Sequence, residues 1–183
     1  MQVQRSIMRN RESPSNDCRI RKITISAAVW LLLLGAAAAA FFEFSGWGTL
    51  TLTNGRTGEV FAKYRMKTGD TFGIRFIHSV NKSPLTDYYE LRRDGIYVEK
   101  TVYYGFGAGV QTELEEGQKL TYGEDGSMII TGFDRKMQDL IYLVGTVSDH
   151  ILILNDRKEI SLRDLCGRNA MVRFDWSPVF RLS

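Results

Sequence analysis

Residues 71–92 read TFGIRFIHSVNKSPLTDYYELR. Phe72, Ile74, Phe76, His78 and Val80 fall on one face of an extended chain, because side chains in a strand alternate with period two. Asn81-Lys82-Ser83-Pro84 interrupts the run. Alternation then resumes with Asp87, Tyr89 and Leu91 on one face and Tyr88, Glu90 and Arg92 on the other. Two such runs joined by a short polar loop predict an antiparallel strand pair. Matching their apolar faces sets Ile74 opposite Leu91, Phe76 opposite Tyr89 and His78 opposite Asp87. The Cβ atoms of such pairs lie about 5 Å apart.

The same pattern extends to both sides. Thr49–Thr53 precedes Asn54-Gly55, a hairpin-type turn, and Glu59–Met66 ends at Gly69-Asp70. Ile96–Tyr104 follows the tight turn Arg93-Asp94-Gly95. Met128–Gly132, Leu140–Val144, His150–Leu154, Glu159–Leu162 and Ala170–Phe174 read as further strands. Leu140–Val144 and Ile151–Leu154 are apolar without alternation, which predicts strands covered on both faces. Helical turns are expected only at Phe133–Asp139 and Leu162–Cys166. The expectation is an all-β domain over residues 45–183, a single sandwich or a partly closed barrel.

Upstream, residues 23–42 carry no charge, and twenty helical residues rise about 30 Å, enough to cross a bilayer. Residues 1–22 hold six basic residues against two acidic ones. The positive-inside rule keeps such a flank in the cytoplasm. The expected order is a basic cytoplasmic tail (1–22), a transmembrane signal anchor (23–42) and a β domain outside the cytoplasmic membrane. The Ala-rich run Ala36–Ala40 also offers cleavage sites of a signal peptide, so anchor and cleaved signal both stand. Cys18 and Cys166 would lie on opposite sides of the membrane, which excludes a disulfide between them. Residues 45–183 contain 18 basic and 18 acidic residues. That balance argues against a nucleic-acid partner.

Few residues carry chemistry. A His78–Asp87 pair at the rim of an apolar core serves either to orient an imidazole toward a ligand or to close the loop between the strands. Ser79 points to the other face from His78, so the two form no triad. Gly105-Phe106-Gly107-Ala108-Gly109 follows a strand. The acidic Glu113 and the lack of a basic residue after it exclude a phosphate loop and favour a bulge or a close backbone approach. Neither Cys18 nor Cys166 has metal-ligand spacing, a metal site would need His78 and His150 to meet together with carboxylates, and His150 reads as a strand-end residue. Tyr103, Tyr104, Phe106 and Trp176 serve either to line an apolar groove or to pack the core. No catalytic constellation, metal or cofactor is expected.

The phrase Phe76-Ile77-His78-Ser79-Val80 with Pro84 and Asp87, followed by Gly105–Gly109, resembles the domain of unknown function 1850 family. The resemblance continues through Leu143–His150 and Ile160–Leu165 and spans most of residues 48–175. Gln111 stands where the family often carries proline. The resemblance implies a small extracytoplasmic protein with one membrane segment and one β-rich domain. It also implies association with transporters of the TAXI type of tripartite ATP-independent periplasmic (TRAP) systems, which take up organic acids. It supplies no catalytic residue. The expected role is an accessory module that contacts the transporter's membrane subunit or its solute-binding protein. Its contact rim would comprise His78, Ser79, Pro84, Asp87, Gly105, Phe106, Gly107 and Gly109. The alternative is a small-ligand binder with His78 and Asp87 as its polar anchor.

Overall fold

The computed structural model describes residues 29–38, 41, 46–79, 82–105 and 113–179. It divides into two units, 1–43 and 44–183. In the first unit residues 29–38 are helical, and residues 23–28, 39–40 and 42 of the expected 23–42 segment and all of the 1–22 tail lie outside the described residues. Among the described residues no helix is long and apolar enough to cross a membrane.

The second unit is all-β. Its strands are β1 (Trp47–Asn54), β2 (Val60–Lys67), β3 (Thr71–Ile77), β4 (Pro84–Arg92), β5 (Gly95–Tyr103), β6 (Lys119–Tyr122), β7 (Met128–Met137), β8 (Leu140–Leu143), β9 (His150–Leu154), β10 (Lys158–Ser161) and β11 (Met171–Pro178). A short helix, Leu162–Cys166, separates β10 from β11. The strands form two antiparallel sheets, ordered β2-β1-β11-β8 and β10-β9-β3-β4-β5-β7-β6. Neither closes into a barrel.

Alternation builds the shared core. Leu50 and Leu52 of β1 and Val172, Phe174 and Trp176 of β11 meet Phe72 and Ile74 of β3, Tyr89 and Leu91 of β4 and Leu152 of β9. Full burial of one such side chain contributes about 1.5–3 kcal/mol. Phe72 stacks on both Tyr89 and Phe174, at 5.2 and 5.6 Å between ring centroids. A smaller cluster of Leu85, Tyr103, Met128 and Ile130 lies at the other end of the larger sheet, and Phe76 packs against both clusters.

Several expectations are corrected. Phe133–Asp139 is not helical: β7 runs on to Met137, with positive φ at Gly132 and Asp134 and a register shift against β5 between Val98 and Lys100. The bulge changes which face each residue takes, and this obscures period-two alternation in the sequence. Strand β6 is absent from the sequence reading, being four residues long and mostly exposed. Strand β8 is an edge strand whose Ile141 and Leu143 are exposed, so it is not covered on both faces. Strand β9 meets the expectation, with Leu152, Ile153 and Leu154 all buried.

Candidate functional site

Strands β3 and β4 do pair antiparallel, but four residues away from the expected register. Phe72 lies opposite Tyr89, Ile74 opposite Asp87 and Phe76 opposite Leu85. An even shift leaves the residues within β3 and β4 on their expected faces while changing their neighbours. The cause is a shorter loop. The His78 N–H donates to the Ser83 carbonyl at 2.9 Å and the His78 carbonyl accepts from Lys82 N–H at 2.9 Å, so the turn closes before Pro84. Proline fits the first strand position because it has no N–H to contribute. Leu85 is thereby drawn into the smaller core. His78 stays in the turn and Asp87 enters the interior, so the expected His78–Asp87 pair does not form.

Asp87 instead joins the two sheets. Its Oδ1 accepts from the Thr101 hydroxyl of β5 at 2.8 Å, and its Oδ2 accepts from the Tyr142 hydroxyl of β8 at 2.8 Å. The Tyr142 and Tyr89 hydroxyls are 2.7 Å apart. Because Tyr142 gives its proton to Asp87, Tyr89 donates to the Tyr142 oxygen. Burial pushes the Asp87 carboxyl above its ordinary value, and the hydrogen bonds from Thr101 and Tyr142 offset part of that rise. Burial, reinforced by the Asp87 charge, raises both phenols as well, so they remain protonated donors. Both carboxylate oxygens are engaged, and the arrangement acts as a polar strut between β4 and β8.

His150 borders this strut. Its ring stacks on Phe76 at 5.0 Å and meets Tyr142 edge-on at 6.1 Å. Its Nδ1 accepts the Gly145 N–H at 3.1 Å, which requires that nitrogen to be unprotonated. Burial holds the imidazole below its ordinary pKa, opposed by the Asp149 charge and assisted by Arg163. Among the described residues no group of three His, Cys, Asp or Glu side chains comes together to hold a metal ion. Cys166 is half-buried against the core, and burial raises its thiol to about 11.

The loop end of the larger sheet is organised differently. Leu85 pairs with Tyr103, which brings the β3–β4 turn and the start of the glycine-rich segment to one edge. The Ser83 hydroxyl lies 3.9 Å from where a Cβ on Gly105 would sit. His78, Ser79, Pro84 and Gly105 therefore share this end, whereas Asp87 points inward. Phe106, Gly107 and Gly109 lie outside the described residues.

Next to this edge, on the face away from the core, is a groove of about 590 Å³ lined by Arg75, Pro84, Thr86, Tyr88, Val102 and Tyr104. Arg75, Thr86 and Val102 stand side by side on β3, β4 and β5. Gly73 lets the Tyr88 ring lie across β3, since an added Cβ would meet that ring at 3.0 Å. Lys100 Nζ sits 4.6 Å from the same ring. Arg75 makes a two-pronged ion pair with Glu159 at 3.0 and 2.7 Å. The Tyr104 hydroxyl donates to Asp125 at 2.7 Å, which tethers the groove wall to the β6–β7 turn. Hydrogen bonds from Ser127 and Tyr104 push the Asp125 carboxyl down to about 2.

Of these groove residues, Pro84 and Tyr104 stand out in the sequence, whereas Arg75, Thr86, Tyr88 and Val102 do not. The outward phase of β3 and β4 is visible there, yet nothing local marks an outward row as a groove. Tyr142, Tyr89 and Thr101 escape a sequence reading because their meeting depends on two sheets closing.

No curated protein and no solved structure matches the chain. A protein-family model, described as Domain of unknown function (DUF1850), matches residues 72–162. That span runs from β3 through β10 and so covers the larger sheet together with β8, the Asp87 strut and the outer groove. The β3–β4 turn, the strut and the groove thus all fall inside the matched span, and the chain belongs to the domain of unknown function 1850 family.

Proposed function

We propose that this chain is a membrane-anchored, extracytoplasmic accessory module, a β-sandwich that docks a transporter component through the outer groove of its larger sheet. The observation that carries the reading is the groove itself. It combines two aromatic rings, a proline and an aliphatic side chain with Arg75 at its border, beside the β3–β4 turn and Gly105. Apolar and aromatic surface flanked by a cation is the composition of a protein-binding patch. The interior offers less, because Asp87 is already bound by Thr101 and Tyr142. The charge-free stretch 23–42 behind a basic flank supports the anchor. Family resemblance supports a TAXI-type TRAP transporter as the partner, with its membrane subunit or its solute-binding protein in contact.

The test is co-purification of the tagged full-length protein from its native membranes in mild detergent, with identification of its partners by mass spectrometry. Transporter subunits at near-equal amounts are expected, and they should be lost from the Tyr88→Ala/Tyr104→Ala variant while its circular dichroism is retained. Recovery of the protein alone, or unchanged recovery with the variant, would refute docking at this groove.

A second reading has one observation of its own. A cavity of about 310 Å³ is lined by Ile96 and Met137 from one sheet and Phe174 and Trp176 from the other, with Lys136 and Asp175. That volume lies at the lower limit for small-molecule sites. Saturable heat of binding with an organic acid, abolished by Lys136→Ala, would favour a ligand-binding role instead.

A further inference from the structure

The smaller sheet carries a separate surface. On its outward face, Lys67 of β2 stands opposite Trp47, Arg65 opposite Thr49 and Lys63 opposite Thr51. The three cations occupy alternate positions of one strand and therefore form a column on the same face, at a spacing of about 7 Å. Trp47 collects two of them: the Arg65 guanidinium carbon lies 4.5 Å from its ring and Lys67 Nζ lies 4.8 Å from it. Two cations thus share one indole, and the Asp70 carboxylate accepts from the Lys67 backbone N–H at 2.7 Å at the end of the column. The neighbouring β1 residues on this face are threonines. The next column, on β11, holds Ser177 opposite Thr49, Asp175 opposite Thr51 and Arg173 opposite Thr53. Asp175 thus lies a full strand away from Lys63, and Arg173 is paired with Asp139 at 2.7 Å.

From this arrangement we infer that the Trp47–Lys63–Arg65–Lys67 face is a docking surface for anionic lipid headgroups. Its chemistry matches such a surface, since cations are drawn to anionic lipid and an indole partitions to the membrane–water boundary. Chain connectivity supplies the second argument and rests on the anchor reading. Only four residues lie between Phe42, the end of the charge-free stretch, and Trp47. The connection reaches at most about 18 Å. Trp47 is also the first residue of β1, so the column begins with the row nearest the anchor along the chain. An acidic protein partner would be drawn by the same charges, but it would gain nothing from this tether. The face lies on the smaller sheet and outside residues 72–162, whereas the groove lies on the larger sheet and within them.

The experiment uses the full chain, with Thr49→Cys carrying a fluorophore in a Cys18→Ser/Cys166→Ala background. The labelled protein is reconstituted in vesicles of phosphatidylcholine alone or of an equal mixture of phosphatidylcholine and phosphatidylglycerol. Quenching by a headgroup-labelled lipid reports how close the face lies to the bilayer, and extraction at alkaline pH reports whether the chain is integrated. Several-fold stronger quenching on the anionic vesicles is expected. It should be abolished by 1 M salt, where the screening length falls to about 3 Å. The Lys63→Gln/Arg65→Gln/Lys67→Gln variant should lose the effect too, since removing one cation from an anionic surface weakens partitioning about five-fold.

Equal quenching on both vesicles overturns the proposal, and this comparison needs no variant to fold. Anionic-lipid-dependent quenching in a chain extracted by alkali would uphold the docking face and refute the anchor. Resistance to extraction with lipid-independent quenching would do the reverse. Salt-sensitive capture by an acidic protein, without lipid-dependent quenching, would assign the face to a protein partner and refute the lipid reading.

Discussion

Removing the Tyr142 hydroxyl tests whether the strut between the sheets is a hydrogen-bonded device or a buried charge that the fold merely tolerates. Tyr142→Phe keeps the ring contacts with Phe76, His150 and Phe174 but removes the donor to Asp87 and the acceptor of Tyr89. A hydrogen bond to a charged group contributes about 1.5–3 kcal/mol and a neutral one about 1 kcal/mol, so a loss of about 2–4 kcal/mol is expected. Asp87→Asn should behave differently. The introduced side-chain carbonyl can still accept from Thr101, the introduced amide can donate to the Tyr142 oxygen, and Tyr142 can then donate to Tyr89. Every oxygen keeps one hydrogen bond, the Tyr89 hydroxyl proton loses its acceptor and the burial of a charge is avoided; the two effects offset, so the change should lie within about 1 kcal/mol of neutral.

The pH dependence separates the two variants further. The Asp87 carboxyl is raised in the folded state, so between its ordinary value near 4 and that raised value the folded chain binds the extra proton. Its contribution is therefore fully present below the ordinary value and is lost as pH rises through the raised one. Asp87→Asn should remove this component, so its advantage over the native protein should grow with pH across that window. The assay is urea unfolding followed by near-ultraviolet circular dichroism, from about pH 4 to about pH 8. A cost above about 2 kcal/mol for Asp87→Asn at neutral pH would show that the charge itself stabilises the fold and would refute the reasoning.

Three further outcomes are expected. Gly132→Ala should cost about 2–4 kcal/mol by thermal unfolding, because φ is +82° and the new Cβ would strike the Gly117 carbonyl oxygen; a loss under about 0.5 kcal/mol would mean that this part of β7 shifts freely. Lowering the pH from about 7 should weaken the native protein more than His150→Gln. The His150 pKa is depressed, so its contribution is present above its ordinary value and is lost as pH falls through the folded one, and parallel melting curves for the two proteins would count against a neutral buried ring. Ser161→Ala removes the cap on Asp164 N–H at 3.0 Å and the bond to Asp149 at 2.6 Å, and should cost about 1–2 kcal/mol, measured by chemical denaturation; an unchanged midpoint would show that the short helix is held by Leu162 and by the Arg163 N–H bond to Asp149.

The sequence by itself determined that an all-β domain follows the charge-free stretch and which faces of β3 and β4 turn inward. Phe72, Ile74 and Phe76 declare the core face of β3 through period-two alternation alone, since that signal depends only on local backbone geometry. The turns at Asn54-Gly55 and Arg93-Asp94-Gly95 were legible for the same reason. The family could also be read from the sequence, in the phrase around His78 and the glycine-rich segment.

Register could not be read in the same way. Shifting β4 by four residues keeps every face and changes every partner, so alternation cannot distinguish the His78–Asp87 pairing from the one observed. The choice falls to Leu85, whose burial in the second core draws the turn closed before Pro84. The strut among Asp87, Thr101, Tyr142 and Tyr89 needs strands from both sheets. The Trp47–Arg65–Lys67 cluster needs β1 and β2 in one particular register, and the groove needs Gly73 beside Tyr88. Each is a contact between residues distant in sequence or in neighbouring strands, so each came into being only when tertiary packing fixed the partners.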